Sequence, residues 1–196
     1  MRSLVVLLLL TGVASAKVVM IPVIARECSA EKTWDDVVTC VGRYGTVTIE
    51  KTLPHARLVR VTRKADPDED PEHGGVYLFV EQKGWQLGGM MEYAGEVLSL
   101  DNPTLGTHGV YRFELGSAEH EADWIIRQRQ QVYCTGTGYR CTTIDVACDK
   151  LVGGKAIETF RGTVSWQKGH LHIAGDRSHA GDTCRERDDV ELFFPE

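Results

Sequence analysis

Four residues near the C-terminus have the types and spacing of a metal-ligand set. His170 and His172 alternate onto one face of an extended segment, and Asp176 and His179 follow within reach of a folded loop. Three imidazoles and a carboxylate suit zinc or copper. A metal held there would activate water for hydrolysis. No His-Glu-x-x-His segment accompanies them to supply a general base, and partly exposed histidines without a ligand fit the same pattern. A second set, Asp66, Asp68, Asp70 and Glu72, occupies alternate positions and offers oxygen ligands to calcium. Pro71 stands where a helix-loop-helix calcium site requires glycine, so a solvated acidic loop is the main expectation.

The other pattern with chemical content is cationic and aromatic. Between residues 122 and 134, Trp124, Ile126 and Val132 share one side of a pleat, while Arg127, Arg129 and Gln131 share the other. Tyr139 and Arg140 follow in a glycine-bearing turn, and Trp85 sits in another β-rich stretch. If the arginine side faces solvent, these residues form a binding surface for an acidic protein or a glycan of the envelope or extracellular space. If it faces inward, the arginines pair with carboxylates such as Glu158 or Glu114, and their role is structural. An apolar ligand inside a barrel, lined by Phe79, Trp85 and Phe113, is a third arrangement, against which stands a solid aromatic core.

Motifs for other chemistries are missing. The serines lack a Gly-x-Ser-x-Gly elbow, and Gly136 and Gly138 lack a phosphate-loop lysine at the right offset. No cofactor is implied. Lys and Arg total 22 against 28 Asp and Glu, a formal charge of −6, which disfavours a nucleic-acid surface or a polybasic membrane patch.

Residues 1–16 read as a cleaved secretory signal. Arg2 supplies the positive end, residues 4–10 an apolar core, and Ala14, Ser15 and Ala16 the small residues before a cut ahead of Lys17. The apolar run is too short for a comfortable membrane span. The expected location is secreted or periplasmic, without membrane insertion after cleavage. All six cysteines lie beyond the leader, an even number that predicts three disulfides in an oxidising compartment. Chain order and reach favour Cys28 with Cys40, Cys134 with Cys141, and Cys148 with Cys184. A bridge from Cys134 or Cys141 to Cys184 is the alternative.

The elements that must position these residues are mostly strands. Residues 18–25 are apolar and β-prone, with Pro22 confining them to an edge or a broken strand. Residues 33–43 carry Trp34, Val37, Val38 and Val41 at helical spacing behind Thr33 as N-cap, and predict one helix. Alternation predicts strands at residues 46–51, 57–62, 76–81, 85–92, 95–100, 110–115, 122–134, 141–148, 155–167, 171–174 and 190–194. Gly88 and Gly89 within one of these mark a bulge or a close backbone approach.

The fold class is therefore mainly β. It is an antiparallel sandwich or partly closed barrel with one short N-terminal helix, stapled by disulfides, in a single domain over residues 17–196 with an exposed acidic loop at 64–75. The expected function is binding or structural, as an exported macromolecular interaction module. The enzymatic alternative is a hydrolase that uses a metal at His170, His172 and His179.

Overall fold

The computed structural model describes residues 20–62, 74–92, 95–105, 108–137, 141–178, 183–184 and 190–191. Residues 1–19 and all but the end of the acidic segment 64–75 lie outside these residues. The chain begins with α1 (Met20–Glu27), β1 (Ala30–Glu31), α2 (Trp34–Val41), β2 (Thr46–Leu53), β3 (Ala56–Thr62), β4 (Gly74–Glu81) and β5 (Trp85–Glu92). It continues through β6 (Glu96–Asp101), a small β7 (Thr104–Leu105) and β8 (His108–Gly109) hairpin, and β9 (Tyr111–His120). Then come β10 (Trp124–Cys134), β11 (Cys141–Val152), β12 (Lys155–Gln167), β13 (His170–Ser178) and β14 (Val190–Glu191).

Among the described residues, two large antiparallel sheets form beside the small β7–β8 pair, and they stay open rather than closing into a barrel. A first sheet has the order β1-β5-β4-β3-β2, and a second has β14-β13-β12-β11-β10-β9-β6. Strand β4 explains their stacking. Val76, Tyr77, Leu78, Phe79 and Val80 are all buried, so both pleat faces need cover. Val76, Leu78 and Val80 pack with Ala56 and Leu58 against Val97, Phe113, Leu115 and Val132 of the second sheet. Tyr77 and Phe79 point the other way, with Val59, Val61, Trp85 and Leu87, against Ile24, Val37 and Val41 of the helices. Each large apolar side chain so buried contributes about 1.5–3 kcal/mol. The molecule is a helix, sheet and sheet stack.

The helices correct one expectation. The strand expected at residues 18–25 is instead helical over Met20–Glu27, so the described residues hold two helices rather than one. Pro22 falls in the first turn, where no N–H is needed for the helix. Ile24 and Cys28, four residues apart, are both fully buried, and the Cys28–Cys40 bridge fastens this end to α2. Tertiary burial overrides the β-propensity of the valines and isoleucines. Helix α2 starts as its sequence indicates: Thr33 Oγ1 accepts from Asp36 N–H at 3.2 Å, and Asp36 Oδ2 accepts from Thr33 N–H at 3.1 Å.

All three favoured disulfides form: Cys28–Cys40, Cys134–Cys141 and Cys148–Cys184. Cys134 and Cys141 are directly opposite in the β10–β11 ladder, and their bridge rests on the backbone of β5. The register of β4 on β5 skips Gly88, which forms a bulge. A Cβ at residue 89 would lie 2.5 Å from Cys141 Sγ and 2.6 Å from Cys134 Sγ. Gly89 thus lets the second sheet's bridge touch the first. A further tie is Arg60 of β3, which bonds Glu50 Oε1 at 2.6 Å and donates to the Gly95 carbonyl at 2.6 Å, holding the start of β6 against the first sheet.

Thr183 and Cys184 are held by Glu158 of β12. Its carboxylate accepts from the N–H groups of Thr183 at 3.1 Å and Cys184 at 3.3 Å, and pairs with Lys150 at 3.5 Å. Burial opposes ionisation of Glu158 most strongly, but the Cys184 and Thr183 donors together with Lys150 outweigh it, and its pKa lies below the ordinary 4.5.

Two measurements check these features. Gly89→Ala should destabilise the protein by about 1–3 kcal/mol through overpacking, lowering Tm by roughly 2–4 °C per kcal/mol. The penalty should shrink when Cys134 and Cys141 are both alanine, and an equal penalty in both backgrounds would refute the contact. For Glu158 the depressed pKa gives a contribution that is complete above 4.5 and lost as pH falls through the lower folded value. The Tm gap between the parent and Glu158→Gln should therefore be widest at neutral pH and close in acid; a gap independent of pH would contradict the clamp.

Candidate functional site

The free face of the second sheet is built from alternate residues of β10. Val132 and Cys134 point into the sandwich, so Arg127, Arg129, Gln131 and Tyr133 point away from it. The two ends of this outward face differ. Tyr133 is buried with Ile144 beneath Val110 and Leu171, with Leu105, Val164 and Trp166 packed around them. Arg127 and Arg129 are exposed. The apolar cover at one end and open sheet at the other leave a concavity of ≈ 660 Å³ around the arginines, within the usual range of about 300–1,000 Å³ for ligand sites.

Register explains its contents. Arg129 lies between Gly116 of β9 and Ala147 of β11, and Ala147 is opposite Arg161 of β12. One residue pair along, Arg127 lies between Ala118 and Asp149. Glu96 of β6 is opposite Gly116 and completes the far rim with Gly95, which Arg60 holds. Ala118 and Ala147 form a low floor, Leu98 of β6 covers Gly116, and the charged side chains rise around them. At residue 116 a Cβ would already lie 3.3 Å from Leu98 Cδ1.

The three arginines are held to different degrees. Arg161 is fixed: Nη2 donates to both Asp149 oxygens at 2.8 Å, and Nη1 donates to the carbonyls of Phe160 at 2.7 Å and Cys148 at 3.2 Å. Arg129 Nη1 donates to Glu114 Oε1 at 3.2 Å, with the Arg129 side chain 55% exposed. Arg127 makes no ion pair with any of the described residues. The arginine face is thus exposed and partly ion-paired at once. Glu114 pairs with an arginine as one reading required, whereas Glu158 serves Lys150, Thr183 and Cys184, and the arginine face remains open to water.

Other candidates lie elsewhere. Trp85 is 5% exposed in the helix-covered core, where its ring centroid is 4.9 Å from that of Trp34 and Arg57 stacks on both. Phe79 shares that layer, while Phe113 lies between the sheets, so the three aromatics do not line one cavity. Tyr139 and Arg140 fall outside the described residues.

His170 and His172 do share one face of β13, with ring centroids 6.3 Å apart. Asp176 is four residues further along the same strand, about 13 Å by strand rise, and pairs through its backbone with Arg161. His179 is outside the described residues, and among those described no three His, Cys, Asp or Glu side chains gather as metal ligands. The acidic residues Asp66, Asp68, Asp70 and Glu72 are likewise outside them.

Arg161 is the site residue that sequence reading missed. Its place beside Arg129 depends on two ladder registers, 32 residues apart in the chain, and no local pattern reports that. Comparison of the chain with protein-family models, curated proteins and solved structures returned no match.

Because Arg127 is exposed and unpaired among its described neighbours, Arg127→Ala should leave folding stability within about 0.5 kcal/mol of the parent in a denaturant titration. A loss above about 2 kcal/mol would show that the residue is structural.

Proposed function

We propose that the protein is an exported binding module that receives an anionic group of its ligand on the concave outer face of the second sheet. The observation that carries this reading is the grouping of Arg127, Arg129 and Arg161 over an alanine floor in a chain of net charge −6. An acidic protein concentrates three guanidinium groups on one open face, and one of them has no ion-pair partner among the described residues. Arg161 and Arg129 are already oriented by Asp149 and Glu114, so less side-chain freedom is lost when a ligand arrives. The guanidinium fork matches carboxylate, sulfate and phosphate oxygens in pairs.

Export agrees with the sequence leader, with three disulfides and with the lack, among the described residues, of a helix long and apolar enough to cross a membrane. A rigid sheet, rather than a loop, carries the arginines, which favours recognition of a ligand of fixed shape.

The test is titration calorimetry of the oxidised protein with three polyanions: polygalacturonate, heparin and polyglutamate. At least one should bind with affinity that falls as salt rises. Arg127→Glu should weaken that binding at least tenfold, about 1.4 kcal/mol. Binding unchanged by the reversal, or no binding to any of the three, would refute the assignment of this face.

A further inference from the structure

We infer that the anionic group on this face is carried by a sugar, so that the ligand is an acidic oligosaccharide bearing carboxylate or sulfate groups. The inference rests on the reading of this concavity as the binding site and narrows its ligand by the balance of donors and acceptors there. The guanidinium groups offer only donors. Glu96 and Asp149 line the same concavity and, when ionised, offer only acceptors. Asp149 uses both oxygens for Arg161, yet an ionised carboxylate has about four acceptor positions, so part of its capacity is left over. The site thus asks for a ligand that presents negative charge and hydrogen-bond donors side by side.

An acidic peptide meets that demand poorly. Its glutamate and aspartate side chains bring acceptors alone, and against Glu96 and Asp149 they meet like charge. Its donors are main-chain N–H groups, which bind most readily along a free strand edge. Here the floor is the middle of a sheet: the backbone groups of Gly116, Arg129 and Ala147 are committed to the β9, β10, β11 and β12 ladders. Recognition has to proceed through side chains. A saccharide ring carries hydroxyl groups, each both donor and acceptor, beside its carboxylate or sulfate. The anionic group faces Arg127 and Arg129, and neighbouring hydroxyls donate to Glu96 and Asp149. The low floor of Ala118 and Ala147, beside the Leu98 side chain that covers Gly116, leaves room for the ring.

The experiment uses the full exported and oxidised protein in calorimetric titrations with four oligomers of matched length. They are a galacturonate tetramer, a heparin tetrasaccharide, a neutral galactose tetramer and a glutamate tetrapeptide. One acidic saccharide should bind at least tenfold more tightly than both the neutral sugar and the peptide, and the better of the two identifies carboxylate or sulfate. Arg127→Glu should abolish that preference. Glu96→Gln, which keeps size and removes the charged acceptor, should weaken the saccharide severalfold without weakening any binding of the peptide.

The outcomes separate this inference from the one beneath it. Peptide binding as tight as saccharide binding, and lost in Arg127→Glu, would overturn the sugar assignment while keeping an anion site on this face. Equal affinity for the neutral and acidic sugars would overturn the acidic requirement. Absence of any Arg127-dependent binding would overturn both.

Discussion

Strand β4 has no face in water. Five consecutive residues, Val76 to Val80, are buried, and a pleated strand can hide alternate side chains on both sides only if each side is covered. That requirement recruits the helices to one face and the second sheet to the other. Such a near-continuous apolar run is unusual for an antiparallel sheet, which commonly leaves one face wet. The closeness of the layers then depends on Gly89, where the first sheet admits the Cys134–Cys141 bridge, and on Gly88, which meets the backbone of Gly136. With both faces of the first sheet occupied, the outer side of the second sheet becomes the broad surface left for a ligand.

That surface is divided by the same logic of burial. At one end Tyr133 and Ile144 are covered by apolar neighbours from β13 and from Val110 ahead of β9. At the other end the arginines are too costly to bury without partners, and among the described residues Glu114 and Asp149 are their carboxylate partners. The concavity is the boundary between a covered apolar half and an open charged half. Its arginines sit on a rigid sheet whose first edge is pinned by Arg60 through Gly95, so their geometry is inherited from the stacking of the layers.

Much of the architecture was legible because it is written in local spacing. Alternation identified the long strands, Thr33 and Asp36 marked the start of α2, and the order of the cysteines gave their partners. Gly88 and Gly89 signalled a close approach, although the thing approached could not be named. The strand expected at residues 18–25 gives way to a helix over Met20–Glu27 because valine and isoleucine favour strands locally, while the deciding factor, burial of Ile24 and Cys28 against a distant sheet, is not local. The site was half legible for the same reason. Arg127 and Arg129 are two residues apart and share a face by periodicity alone. Arg161 joins them only through the registers of three strands, and Trp85 leaves them because the two sheets separate the layers in which they reside.

A nuclear magnetic resonance titration that follows the arginine Nε–H resonances and the backbone amides while an acidic oligosaccharide is added locates the ligand directly. Binding at the concave face predicts shifts at Arg127, Arg129 and Arg161 and at the amides of Gly116, Ala118 and Ala147, with Arg57 unmoved beside Trp34 and Trp85. Shifts confined to Arg57 and the helix-covered side, with the outer face of the second sheet silent, would contradict the assignment.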